Sequence, residues 1–159
     1  MNGRLRLWAA TLALGACGPS AREIEKQMNE AKSRGPGSRV SLAAIVPTAT
    51  RIFIFGPYTA LEDARRCMGS SAPDVLRGLE SRDDVNVLVF QISDGQLRSV
   101  AVSRAAGDFS PDAVGRVYAP HEADFVVQRS AEWSVLAPVR DVPICAWTTP
   151  NEALLPTGP

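Results

Sequence analysis

Residues 86–103 read Asn-Val-Leu-Val-Phe-Gln-Ile-Ser-Asp-Gly-Gln-Leu-Arg-Ser-Val-Ala-Val-Ser, and this stretch decides the fold class. Asn86–Ile92 is rich in β-branched and aromatic residues, the composition of a strand. Ser93-Asp94-Gly95-Gln96 then sets an Asp-Gly pair between two apolar runs, the strongest short-range hairpin signal. Leu97–Ser103 returns as the partner strand. Leu97, Ser99, Ala101 and Ser103 alternate with Arg98, Val100, Val102 and Arg104, so one face is expected to be the more exposed.

The neighbouring segments extend this antiparallel core. Arg39–Val46 (RVSLAAIV) and Arg51–Phe55 (RIFIF) read as strands. The unbroken apolar run Ile52-Phe53-Ile54-Phe55 predicts a strand covered on both faces. Thr59-Ala60-Leu61-Glu62 has capping-box spacing. The helix it starts puts Leu61, Ala64 and Met68 on one side and stops at Gly69. Pro73-Asp74 opens a short helix to Glu80 with Val75, Leu76 and Leu79 inward. Downstream, Arg116–Tyr118, Asp124–Arg129 and Glu132–Leu136 read as strands, and Asp108–Asp112 as a loop. Upstream, Ser20-Ala21-Arg22-Glu23 is a second capping box. Ile24, Met28 and Ala31 recur at helical spacing, which predicts a polar helix over 21–33 that lies along the domain as a stalk or stands partly free.

The element order is not the strand–helix alternation of a parallel sheet. It predicts an α+β fold: a mainly antiparallel sheet of about five strands with two or three helices on one face. Prolines at 138, 143, 150, 156 and 159 make the C-terminal stretch irregular. Ile144–Trp147 is expected to be pinned to the core, and the end beyond Thr149 to be mobile.

The N-terminus has a different character. Met1–Arg6 is short and positive, Leu7–Leu14 (LWAATLAL) is apolar, and Gly15-Ala16 is small. This is the layout of an export signal. The apolar run is far shorter than the ~20 residues needed to span a bilayer. Leu14-Gly15-Ala16-Cys17 resembles the lipobox of bacterial lipoproteins: an aliphatic residue, two small ones and a Cys. The resemblance implies cleavage before Cys17 and acylation of its thiol. The other reading is an ordinary export signal with Cys17 incidental. Two or more acyl chains anchor a protein stably, whereas one does so marginally. Gly18, not Asp, follows the Cys, which by the same family's pattern favours the outer membrane over the inner. The expected organisation is a signal at 1–16, a lipidated N-terminus, helix and linker at 17–37, one domain at 38–149 and a flexible tail at 150–159.

Removing residues 1–16 from the 159 leaves 143, enough for one ordinary domain. Arg4 and Arg6 are the only charges in the signal, so 15 basic and 17 acidic residues remain, a net of −2. Such a balance gives no footprint for nucleic acid and no net attraction to anionic lipid. The arginines are scattered along the chain. Three cysteines are an odd number for an exported protein. With Cys17 acylated, Cys67 and Cys145 remain as a pair in a compartment that permits disulfides. The alternative is two buried free thiols.

A second resemblance concerns Arg51–Thr59 and the helix and hairpin after it, roughly residues 51–104. The segment ending Phe55-Gly56-Pro57-Tyr58-Thr59 is similar to small uncharacterised secreted proteins of bacteria, although Ala49-Thr50 stands where many of them have Trp-Asp. It implies a fold and no activity.

Chemistry-bearing residues are sparse. His121 is the only histidine. With Glu122 and Asp124 it makes a poor metal set, since transition metals want several His or Cys ligands. A solvated loop histidine is the simpler reading. A Cys–His nucleophile of Cys67 or Cys145 with His121 is conceivable. Cys67, however, falls near a helix C-terminus, where the dipole disfavours a thiolate. Gly35-Pro36-Gly37 lacks the Lys and helix of a phosphate loop. No G-x-S-x-G elbow occurs. Trp133 and Trp147 are expected to pack in the core, or otherwise to line a partner surface. Tyr58 is a candidate ligand-facing lip. The expected function is a non-enzymatic, membrane-tethered domain, without metal or cofactor. Its expected partners are the bilayer, through Cys17, and an envelope protein. The alternative is a small-ligand carrier or envelope enzyme with a site near Tyr58 and His121.

Overall fold

A computed structural model of the chain describes residues 20–69, 72–130 and 133–145. The expected export signal at 1–16, Cys17, Trp147 and the expected tail at 150–159 lie outside these residues. The fold is α+β, as expected, but the single five-stranded sheet is corrected. Eight strands among the described residues form two four-stranded sheets.

One sheet is built on the hairpin. β3 (Val85–Ile92) pairs with β4 (Leu97–Ser103), running from Val85↔Ser103 to Gln91↔Leu97. The turn closes with Ile92 N donating to Gln96 O and Gly95 N to Ile92 O. β2 (Ala49–Phe55) lies on the other side of β3, and β6 (Arg116–Tyr118) completes the order β4-β3-β2-β6. The second sheet has the order β1-β7-β8-β5: β1 (Arg39–Ser41), β7 (Asp124–Ser130), β8 (Trp133–Pro138) and β5 (Asp108–Phe109). Only β5 on β8 is parallel.

The period-2 geometry of β2 explains the layers. Ile52 and Ile54 point into the larger core with Phe90, Phe125, Leu136 and Tyr118, which both sheets share. Phe53 and Phe55 point the other way, into a second core under α3 (Leu61–Met68). The apolar run thus lies in a strand covered on both faces, as read from the sequence. β4 departs from expectation. Val100 and Val102 face the first core while Leu97 and Ala101 face the second, so neither face is free.

α1 (Ala21–Arg34) is not a free stalk. Ser20 caps it by accepting from Glu23 N, and Ile24, Met28 and Ala31 are fully buried in the larger core. α1 thus packs on the same core as both sheets. Arg39–Val46 is a three-residue strand followed by the short helix α2 (Leu42–Ile45). Its first turn is held by Leu42 N donating to Ala123 O. The capping box at Thr59 does not form, because the Thr59 hydroxyl donates to Gly56 O instead. The helix expected over 73–80 is two 3-10 turns, Asp74–Leu76 and Leu79–Ser81, with Leu76 and Leu79 buried and Val75 exposed.

Cys67 and Cys145 are joined, with Cα atoms 5.0 Å apart. That spacing is normal for a disulfide. Arg116 pairs with Ile144, and Cys145 N donates to Gly115 O. The residues up to Cys145 are thus pinned to the edge of β6. No described helix is long and apolar enough to cross a membrane.

Candidate functional site

The register places the predicted site residues far from each other. β2 runs from Ala49 to Phe55, and Tyr58 follows its C-terminal end. β6 is antiparallel to it, with Arg116 opposite Ile54 and Tyr118 opposite Ile52. His121, in the 3-10 turn Pro120–Glu122 after β6, therefore falls at the opposite end of the sheet. Its side chain is exposed, and its nearest acid, Glu122, already accepts from Ala119 N. Tyr58 and His121 do not share a site. The Cys–His reading also falls, because the two cysteines bond to one another.

Other residues do converge at the Tyr58 end. Asn86 is the second residue of β3, Arg104 and Asp108 bracket the connection from β4 to β5, and Trp133 starts β8. Arg104 grips Asp108 through Nε and Nη2, with Nε 2.9 Å from Oδ1. Its Nη1 donates to Asp83 O at 2.7 Å. Asp108 also accepts from Asn86 Nδ2 at 3.3 Å. These bonds from Asp108 hold the Arg104 guanidinium above its ordinary pKa. Asn86 is fully buried, and its Oδ1 has no hydrogen-bond partner among the described residues; nor has the buried Ser110 Oγ. Neither atom is accessible enough to meet a ligand without movement, so the pair marks the polar floor and not the contact surface.

The Arg104–Asp108 pair lines three open depressions. One, of about 400 Å³, is walled by Pro57, Tyr58, Phe109, Pro111 and Val114. Gly56 is required there, since a Cβ on it would sit 2.9 Å from Val114 Cγ1. The others surround Trp133, with Lys32 and Ser134 on one side and Gln128 and Arg129 on the other. Lys32 belongs to α1, and its Nζ donates to Ala105 O at 2.7 Å.

Two features mark this end as more than packing. Tyr58 is the only non-glycine residue with positive φ among those described, at 63°. A side chain in the left-handed region costs roughly 1–2 kcal/mol. Yet the ring recovers little by burial, being 66% exposed. Trp133, expected in the core, is 62% exposed. Two large aromatic side chains thus stand in solvent on either side of an ion pair.

Taken together, the chain is an α+β protein of two sheets sharing one core, with exposed aromatic residues flanking an ion pair at one end. Comparison with protein-family models, curated proteins and solved structures returns no match.

Proposed function

We propose that this is a lipid-anchored protein of the bacterial cell envelope, acylated on Cys17 and facing the periplasm, whose domain binds an envelope component without catalysing a reaction. The Tyr58–Arg104–Trp133 end is its binding surface. Support for the anchor is Leu14-Gly15-Ala16-Cys17 behind an apolar signal. Gly18 after the Cys favours the outer membrane. The single observation behind the binding surface is Tyr58, held in a costly backbone conformation with its ring in solvent. Strain of this kind gathers at functional positions. Open depressions flanked by exposed aromatic rings fit contact with a large partner better than enclosure of a small molecule.

Metabolic labelling with palmitate tests the anchor: wild type takes the label and Cys17→Ala does not. Hydroxyl-radical footprinting tests the surface. Tyr58 and Trp133 are expected to be protected in intact envelopes and oxidised in the detergent-purified protein. Tyr58→Gly removes the ring and relieves the backbone, so it is expected to fold at least as stably as wild type while exposing Trp133 in envelopes. Equal oxidation of Trp133 in envelopes and in detergent would refute the binding surface.

A further inference from the structure

The edge strands of the two sheets are not alike. β1 and β6 have three residues each and β5 has two. β4 has seven, and β3 is its only strand neighbour. Proteins blunt a long edge with Pro, Lys or a bulge. β4 contains neither residue, and its ladder with β3 runs without a register shift.

The ladder shows which groups face outward. At one end Arg104 N donates to Asp84 O, and at the other Ile92 N donates to Gln96 O. Bonded and non-bonded pairs alternate along an antiparallel ladder. Arg98, Val100 and Val102 therefore bond to β3, while Leu97, Ser99, Ala101 and Ser103 turn their backbone groups away from it. Glu25 Oε1 accepts from Ser103 N at 2.8 Å. The N–H groups of Leu97, Ser99 and Ala101 have no hydrogen-bond partner among the described residues.

This edge is complementary to itself. Two copies can meet antiparallel about a two-fold axis only where outward residues face outward residues. With the axis at Ser99, each Ser99 faces the other, and each Leu97 faces Ala101 of the other copy. All three free residues are then used, for about six hydrogen bonds. Arg98 lies opposite Val100. An axis at Arg98 would set the two arginines directly opposite each other, which destabilises. An axis at Val100 would bring Leu97 against Ser103, whose N–H Glu25 already holds. One register alone satisfies every free group and keeps like charges apart.

We propose that β4 is the interface of a symmetric dimer. Two copies of the chain pair through Leu97–Ala101, centred on Ser99, and merge their hairpin sheets into one. The pairing is independent of acylation and of the Tyr58 surface.

Purified full-length protein is expected to sediment at about twice the monomer mass and to dissociate on dilution. Dilution should also speed amide exchange at Ser99 and Ala101, but not at Val100, which is bonded within the hairpin. Ser99→Pro removes an outward donor and no bond to β3, a place where an edge strand accepts proline. It is expected to sediment as a monomer. Cysteine substitution gives a test that needs no proline. Facing residues of a bonded pair lie about 5.5 Å apart, within disulfide reach. Ser99→Cys is expected to form a disulfide-linked dimer on mild oxidation, and Arg98→Cys is not. A wild type that stays monomeric at every concentration, a dimeric Ser99→Pro, or linkage through Arg98→Cys in place of Ser99→Cys overturns the inference. So does Ser99→Cys that links to a different protein in cells and not to itself.

Discussion

Tyr118 shows what one buried polar atom demands. The ring is fully buried, packs edge-on to Phe125 and donates its hydroxyl to Ala113 O at 2.9 Å. Burial disfavours the phenolate, so its pKa is pushed well above the ordinary 10. Below about pH 10 the phenol is neutral in both folded and unfolded chains, and its contribution is intact. Above that pH the unfolded chain ionises first, and stability is lost until the folded phenol titrates too. Wild type is therefore expected to lose up to about 1.4 kcal/mol per pH unit from this group above pH 10. Urea titrations across that range should show the slope, and Tyr118→Phe should lack it. At neutral pH the Phe variant is expected to be weaker by about 1–3 kcal/mol, because the Ala113 carbonyl is left unpaired. At this scale the sequence was partly legible. The odd cysteine count pointed to the Cys67–Cys145 bond that the structure forms. Asn86, Arg104 and Asp108 went unnoticed because their partnership spans a hairpin. Tyr58 and His121 were grouped only because each sits in a turn, and a turn does not reveal which end of a sheet it caps.

Periodicity served the long elements and failed the short ones. α1, β2, β3 and β4 were readable because each repeats its pattern long enough to name its period. Leu42–Ile45 was not, since a run of apolar residues fits a strand or a helix equally. The division into two sheets was hidden for another reason: β1 pairs with β7, more than eighty residues later, and no local pattern encodes that partner. Nor does amphipathicity alone say where a helix docks. For α1 the answer is Gly107. A Cβ on that residue would lie 2.6 Å from Met28 Cε, 3.1 Å from Met28 Cβ and 3.4 Å from Leu136 Cδ1. The methyl end of Met28 can swing aside, but its Cβ is fixed to the helix. Gly107→Ala is therefore expected to cost about 1–3 kcal/mol through overpacking. Faster amide exchange should appear in α1 first. In a Met28→Gly background, which removes that Cβ, much of the added penalty should disappear, which a double-mutant cycle will measure as coupling. Full additivity would mean that α1 does not rest on Gly107.

The disulfide binds together what the sheets leave separate. Cys67 lies near the end of α3, in the layer over the second core, while Val142, three residues before Cys145, lies in the first. The bond therefore reaches around the β6 edge and links the two hydrophobic layers. Arg116 supports the same strip, donating to Asp141 and to the Val142 carbonyl. The closed loop is long, the cysteines being 78 positions apart. In the chain-entropy model such a loop stabilises the fold by roughly 4 kcal/mol, by narrowing the unfolded ensemble. That is a large share of the 5–15 kcal/mol typical of a domain. The double variant Cys67→Ser, Cys145→Ser is expected to unfold at a markedly lower urea concentration, with a steeper denaturant slope because its unfolded chain opens further. Adding reductant should bring wild type to the same midpoint and leave the variant where it was. If instead the slope stays constant and the unfolding free energy falls by less than about 1 kcal/mol, the bond acts on neither the unfolded chain nor the joining of the layers, and the two cores hold together without it.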